Sequence, residues 1–170
     1  KVVLNSGREF NLVGSNDVNG DNRGIIVNMP GKGRVDIRWE EFDAVEFSKA
    51  PSSSLSYNDF KGEKHIRGSV ELINGNIIEG RIVYDLDEES NLEMLNGIKD
   101  DIEYFIPFGD LKSITPKNRE ESLVQLKNGD KLLLAGKVDV DQHNDGLLVF
   151  DKNNEYTYVP WAEVGTITFE

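Results

Sequence analysis

The chain carries an internal repeat of about 50 residues, and this repeat restricts the possible folds more than any other feature. Three apolar stretches, at 2–7, 70–75 and 124–129, each end in a glycine. An aspartate follows each glycine ten residues later, and a large aromatic residue stands 22 or 23 residues after that: Asp17 and Trp39, Asp85 and Phe108, Asp139 and Trp161. The shared spacing indicates copies of one supersecondary module.

Residues 1–47 and 123–169 align without a gap, and the same residue type recurs 122 positions later at thirteen sites. These sites combine turn, apolar and aromatic residues: Val2, Leu4, Gly7, Leu12, Gly14, Asp17, Val18, Asn22, Gly24, Val27, Trp39, Glu41 and Phe47. The middle copy is a more distant relative with loops of its own. We therefore predict three related units in the order A-B-A.

Alternating apolar residues predict strands. In VDIRW (35–39) and YFIPF (104–108) apolar side chains occupy alternate positions, which is the period of a half-buried strand. Clusters of Gly, Asn and Asp interrupt such runs every eight to twelve residues, as in hairpin-rich sheets. The predicted fold is all-β, with about five short strands in each unit. Trp39, Phe108 and Trp161 are predicted to anchor the core.

Composition sets the predicted boundaries. Unit A1 covers 1–50, a linker rich in serine covers 51–61, unit B covers 62–118 and unit A2 covers 119–170. A module of about 50 residues buries too little surface to be stable alone, so the units are expected to pack together.

Residues 70–85, VELINGNIIEGRIVYD, resemble the first signature segment of Sm-like proteins. The resemblance is carried by two apolar pairs, two glycines five residues apart and a final aspartate: Val70, Leu72, Gly75, Gly80, Ile82, Val83 and Asp85. It implies tandem small SH3/Sm-like barrels. The Asp, Asn and Gly positions of the A units and the proline before each core aromatic of units B and A2 also resemble a bacterial repeat family to which no activity is attached.

The contacts by which Sm-like proteins bind uridine-rich RNA are missing. They use an Asn soon after the Asp and an Arg-Gly in a second signature, but DLDEES follows Tyr84, and FIPFGDLKSI and YVPWAEVGTI contain no Arg-Gly. Acidic residues outnumber basic ones 31 to 19, whereas nucleic-acid affinity comes mostly from cations on phosphates. We expect no nucleic-acid partner and, because no apolar run is long enough, no membrane insertion.

The stretch DVNGDNRG raises the question of a calcium site. Such a loop needs oxygen ligands at positions 1, 3 and 5, a Gly at 6 and a Glu at 12. Asp17, Asn19 and Asp21 fit the first three positions, but asparagines stand at the other two. The matching loop of unit A2 keeps Asp139 and Asp141 and has a histidine at position 5.

A hairpin connection explains the same residues more simply, and we favour it. The aspartate would cap free N–H groups in an Asx turn, Asn22 and Asn144 would adopt a left-handed conformation, and Gly24 and Gly146 would lead into the next strand. The candidate metal ligands are the five residues of the two loops: Asp17, Asn19, Asp21, Asp139 and Asp141.

A second charged feature spans 85–103, where eight carboxylates face Lys99 alone. We interpret it as an acidic loop of unit B, which could attract a cation or a basic protein surface but is more simply solvated.

Catalysis has little support in this sequence. The two histidines occupy non-equivalent positions, and no serine elbow or phosphate-binding glycine loop is present. The absence of cysteine excludes disulfides, thiolate zinc sites and cysteine nucleophiles. We therefore expect a non-enzymatic interaction or scaffolding module with a protein partner.

Two alternatives stay open. One is a calcium-stabilised extracytoplasmic binding protein that uses the Asp17 and Asp139 loops, and the other is a carboxylate-dependent hydrolase with its site in a cleft between units. Because the chain begins at Lys1 inside an apolar stretch, we expect that a leader was removed and that the protein is periplasmic or secreted.

Overall fold

A computed structural model describes residues 1–14, 18–41, 43–48 and 62–170. Within these ranges the protein is all-β, as predicted, and its helices are 3-10 turns of three residues each. No helix in the described ranges is both long and apolar enough to cross a bilayer. The predicted linker at 51–61 lies outside the described residues.

The strands follow the predicted alternation. Segment A1 (1–50) contributes β1 Val2–Val3, β2 Glu9–Phe10, β3 Ile25–Met29 and β4 Gly33–Ile37. Segment B (62–118) contributes β5 Arg67–Leu72, β6 Ile77–Tyr84, β7 Met94–Lys99, β8 Ile102–Pro107 and β9 Leu111–Pro116. Segment A2 (119–170) contributes β10 Glu121–Leu126, β11 Lys131–Ala135, β12 Leu147–Phe150, β13 Tyr156–Val159 and β14 Val164–Phe169.

Twelve strands form one antiparallel sheet, in the order β13-β12-β6-β5-β14-β9-β10-β11-β7-β8-β4-β3. β1 and β2 form a separate two-stranded sheet. Over the described residues the large sheet is open, with β13 and β3 at its ends, so the predicted closed barrels do not appear as separate sheets. The physical reason is that strands of one segment pair with strands of another.

Segments B and A2 pair reciprocally. The hairpin β5–β6 of segment B lies between β14 and β12 of segment A2. The hairpin β10–β11 of segment A2 lies between β9 and β7 of segment B. The last strands of the two segments, β9 and β14, pair with each other. Each segment would lose these pairs between segments if it folded alone.

The two halves of this reciprocal pairing have the same register. Val70 of β5 faces Ile167 of β14, and the matching Val124 of β10 faces Ile114 of β9. Ile114 and Ile167, which occupy matching positions in their segments, also face each other. Two further pairs of one half have a counterpart in the other half. The pair Arg81–Phe150 corresponds to Ala135–Ile98, and the pair Leu72–Val164 corresponds to Leu126–Leu111. Segments B and A2 are therefore related by a local approximate twofold axis near Ile114 and Ile167.

The glycine that ends each apolar stretch has the same backbone geometry in all three segments. The φ angles are +81° at Gly7, +87° at Gly75 and +98° at Gly129, which is the region that glycine enters at little cost. Each glycine N–H donates to the carbonyl oxygen three residues earlier, that of Leu4, Leu72 or Leu126, at 2.8 to 3.0 Å. The same hairpin turn therefore follows the first strand of each segment.

One core serves segments B and A2 together. At its centre the ring of Tyr84, from β6, lies 5.1 Å from that of Phe108 and 5.9 Å from that of Trp161. Both predicted anchors, Phe108 and Trp161, are buried, whereas Trp39 of segment A1 is only half-buried. Each aromatic stands in a 3-10 turn rather than in a strand. The core thus depends on both segments.

We predict that Gly80→Ala destabilises the protein by about 1–3 kcal/mol, because a core overpacked by one methyl group must shift its backbone. A Cβ at Gly80, in β6, would lie 2.1 Å from the carbonyl oxygen of Phe150 in β12. Urea unfolding measures the change. The control is Gly62→Ala, where an added Cβ meets nothing within 4 Å. Equal stability of the two variants would contradict the close packing of β6 on β12.

Candidate functional site

The reciprocal pairing brings carboxylates of two segments to one partly buried junction. Asp85 ends β6 in a left-handed turn with φ of 47°, and Asp87 and Glu88 follow it. Asp139 belongs to the 3-10 turn Val138–Val140 of segment A2 and is buried. We call Asp85, Asp87, Glu88 and Asp139 the carboxylate cluster. Asp85 and Asp139 are the two aspartates that occupy matching positions in the repeat.

Asp139 connects this junction to two strands of segment B. Its carboxylate oxygen Oδ2 accepts a hydrogen bond from the backbone N–H of Asn96, in β7, at 2.5 Å. Its backbone carbonyl accepts the hydroxyl of the fully buried Tyr84. Asp85 accepts the backbone N–H of Asp145 from the facing loop of segment A2. These contacts hold the two segments together at the cluster.

Burial changes the protonation of the cluster. It raises the pKa of Glu88 from 4.5 to about 9, helped by a hydrogen bond with Asp87 and by the charge of Asp139. Burial likewise raises the pKa of Asp85 from 3.8 to about 6, although the N–H of Asp145 opposes the shift. Burial also raises the pKa of Asp139, against the N–H of Asn96. At neutral pH the Glu88 carboxyl therefore keeps its proton.

The fully buried side chain of Tyr84 lies beside the carboxylate cluster. Burial, and then the charges of Asp139, Asp85 and Glu88, raise its pKa well above 10.0, so its hydroxyl remains a donor. Among the residues that the structure describes, the buried oxygen Oε2 of Glu88 has no hydrogen-bond partner. Chemically, the cluster places a carboxyl that keeps its proton at neutral pH beside Asp85, whose pKa of about 6 lies close to neutrality.

Sequence reasoning found only part of this arrangement. The repeat singled out Asp85 and Asp139 as landmarks, but it did not indicate that they approach each other. Tyr84 and Asn96 were missed, and Glu88 was included only as one of the eight carboxylates of 85–103, since their roles arise from contacts between segments. The sequence contained one signal, which was the aspartate at the same position in two copies. It did not show which strands pair, so it did not show that the two aspartates approach each other.

The predicted calcium ligands are used mainly in hydrogen bonds to the chain. Asp17 lies outside the described residues. Asn19 Oδ1 accepts the N–H of Asp21 at 2.8 Å, and Asp141 Oδ1 accepts the N–H of His143 at 2.8 Å and pairs with its ring Nδ1 at 2.9 Å. Among the residues that the structure describes, no three His, Cys, Asp or Glu side chains form a group that could hold a metal ion.

Asx turns form in both loops, but the asparagines make them, whereas the hairpin interpretation assigned them to the aspartates. Asn22 Oδ1 accepts the N–H of Gly24 at 2.7 Å, and Asn144 Oδ1 accepts that of Gly146 at 2.9 Å. The left-handed conformation, however, belongs to the glycines, with φ of 116° and 93°, and not to the asparagines as predicted. A glycine adopts this conformation without the steric penalty of a Cβ.

The predicted acidic loop at 85–103 is not a loop along its whole length. It contains β7, and its final acids lie at the tight turn into β8, where Asp100 and Asp101 have φ of 52° and 61°. Two consecutive residues with positive φ are typical of a type I′ hairpin turn, which matches the twist of the strands. The charge is therefore not gathered in one loop, since part of it lies in the carboxylate cluster and part at an exposed hairpin tip.

A cavity of about 730 Å³ lies where segments B and A2 meet. Its polar lining is mostly basic, and Glu170 supplies the one carboxylate side chain that lines it: Lys64, His65, Arg67, Asn91, Lys127 and Glu170. The Lys127 ammonium donates to the carbonyl oxygens of Gly109 and Glu170, and Arg67 lies 3.8 Å from the Glu170 carboxylate. These cations bind the end of β14 to segment B.

Segment A1 exposes apolar residues that are buried in segment A2. Leu12 is 49% exposed, whereas Leu134, the same residue type 122 positions later, is 0% exposed. Phe47 is 90% exposed, whereas Phe169 is 7% exposed. The same contrast holds for Val2 and Leu4 against Val124 and Leu126. We call Val2, Leu4, Leu12, Val45 and Phe47 the exposed apolar face of segment A1.

Comparison with known proteins identifies no relative. No protein-family model, curated protein or solved structure matches the chain.

We predict that Glu88→Gln reduces the loss of stability at alkaline pH. A carboxyl whose pKa rises on folding stabilises the protein fully below its unfolded value of 4.5, and this contribution is lost as the pH rises through about 9. Glutamine does not titrate. The fall in urea midpoint between about pH 5 and about pH 9 should therefore be smaller in the variant than in the wild type.

Glu79→Gln is the matched control, because it makes the same change at an exposed position of β6. Its urea midpoint should fall with pH as in the wild type. An unchanged fall in Glu88→Gln would show that Glu88 does not hold a proton in the folded protein.

Proposed function

We propose that this protein is a non-enzymatic interaction module that binds a β-sheet partner through segment A1. The observation that carries the proposal is the exposed apolar face, since residues of the same type are buried in segment A2 by strands of segment B. Several large apolar side chains exposed within one segment are typical of a binding surface.

Unpaired strand edges support the same role. Among the described strands, β2 pairs only with β1, and β3 pairs only with β4. An open edge offers a row of N–H and C=O groups, and a partner strand can bind it with alternate side chains providing specificity. Segment A1 could thus bind another sheet both through the backbone N–H and C=O groups of its open edges and through its exposed apolar side chains.

The proposed architecture is three copies of one SH3/Sm-like module in A-B-A order. Its support is the common turn at Gly7, Gly75 and Gly129 and the matched registers of segments B and A2. If the strands of each segment are numbered from one to five, each half of the reciprocal pairing has the order 4-3-2-1-5. In this interpretation segment A1 is a module that, within the described residues, has no second module to exchange strands with, as segments B and A2 do with each other.

The hydrolase alternative would require two facing carboxylates in a cleft. The cavity between segments B and A2 is lined by a single carboxylate side chain, and its cations contact the chain itself. In the carboxylate cluster, Asp139 accepts hydrogen bonds from Tyr84 and Asn96, and Asp85 accepts one from Asp145. These contacts favour a structural role for both features.

We predict that a photoreactive residue in place of Phe47 forms covalent adducts with a protein in the cells that produce this chain. Phe47→p-benzoylphenylalanine places the probe within the exposed apolar face, at a side chain that is 90% exposed. The matched control is Tyr156, an exposed aromatic of the edge strand β13. Mass spectrometry identifies the adducts. Adducts at neither position, or equally at both, would contradict binding through segment A1.

A further inference from the structure

We propose that segment A1 is completed by segment A1 of a second copy of this chain, in a twofold-symmetric dimer. In this dimer β1 of each copy pairs with residues 43–48 of the other copy and β2 pairs with β3 of the other copy, as β10 pairs with β9 and β11 with β7 within one chain. The proposal rests on the proposed function, because it names the partner that covers the exposed apolar face.

The unpaired edges of segment A1 are those that such a dimer would use. In segment A2 the strands that match β2, β3 and residues 43–48 are β11, β12 and β14, and each pairs with a strand of segment B. In segment A1, within the described ranges, the matching edges have no strand partner. One edge of β4 is already paired, with β8. The strand that matches β4 in segment A2 is β13, and the matching edge of β13 takes no part in the reciprocal pairing. The dimer therefore does not need this edge of β4.

Both hairpins of segment A1 already have the register that pairing requires. In both hairpins, pairs of segment A1 match pairs 122 residues later: Val2–Phe10 matches Val124–Leu132, and Ile25–Ile37 matches Leu147–Val159. The two copies could therefore associate without changing the hairpins. What segment A1 lacks is the set of strands that lies between its hairpins.

The approximate twofold axis of segments B and A2 predicts what would lie on the exact axis of the dimer. Ile114 and Ile167 face each other at that axis, and Val45 is the residue that matches Ile167. Val45 of one copy would thus face Val45 of the second copy. The antiparallel register then places Glu46 opposite Ala44, so like charges do not face each other across the axis.

A second copy fits better than another kind of partner for two reasons. Segment A1 contains both the hairpin that inserts and the strands that receive it, so two copies satisfy each other in a closed, isologous interface. Residues 1–47 also carry six Lys and Arg against eight Asp and Glu, whereas the whole chain carries 19 against 31. Self-association through segment A1 therefore meets less repulsion than association through the other segments.

A single cysteine at Val45 tests the position of the axis. The chain has no cysteine, and residues that face each other in an antiparallel pair have a Cα separation suited to a disulfide. Under mild oxidation, the full chain with Val45→Cys should form a covalent dimer of twice 19.1 kDa, seen by native mass spectrometry. Ile77→Cys, at an exposed aliphatic position of β6, should not. No dimer with Val45→Cys, or equal dimer with both, would overturn the proposal.

A second pair of variants tests the apolar contact. Leu12→Asp should abolish the dimer of the otherwise native chain, because Leu134 at the matching position is buried, whereas Ile77→Asp should leave the dimer intact. Circular dichroism checks the fold of each variant. A wild-type chain that remains monomeric, while the Phe47 probe captures a different protein, would overturn the dimer but leave the proposed function standing. Absence of both the dimer and the adducts would overturn both.

Discussion

The antiparallel pairing of β9 with β14 holds the rest of the structure in place. It joins the final strands of segments B and A2 at Ile114 and Ile167, and on each side of this pair lies the first hairpin of the other segment. Thr115 and Thr166 add a hydroxyl–hydroxyl hydrogen bond of 3.1 Å across the same pair. Because each hairpin depends on the strands of the other segment, the two segments share one core and are expected to unfold together.

The carboxylate cluster is a consequence of this pairing. The turns that end β6 in segment B and follow β11 in segment A2 carry aspartates at matching positions, and the approximate twofold axis brings those turns together. Their burial beside Tyr84 raises the pKa of Asp85, Glu88 and Asp139. A protein with such a junction gains stability from protons that the unfolded chain would release, so its stability favours mildly acidic over alkaline conditions.

Segment A1 has the same sequence landmarks but a different environment. Its hairpins form with the expected registers, and β4 extends the large sheet by pairing with β8, where Arg34 lies over the ring of Phe105 at 4.1 Å. Yet its leucines and Phe47 are exposed, because segment B is already paired with segment A2. Identical residues thus belong to a core or to a surface according to whether complementary strands are present.

The sequence by itself determined the all-β class, the hairpins and their turns. Alternating apolar residues set the strands, and the spacing of Gly7, Gly75 and Gly129 set the tight turns, because these depend on neighbouring residues alone. Only the tertiary structure decided which strands pair with which. Local pattern does not distinguish a hairpin that pairs within its own segment from one that pairs with another, since both bury the same face. The open sheet, the cluster around Glu88 and the exposed face of segment A1 all follow from that choice, so they lay beyond sequence reasoning.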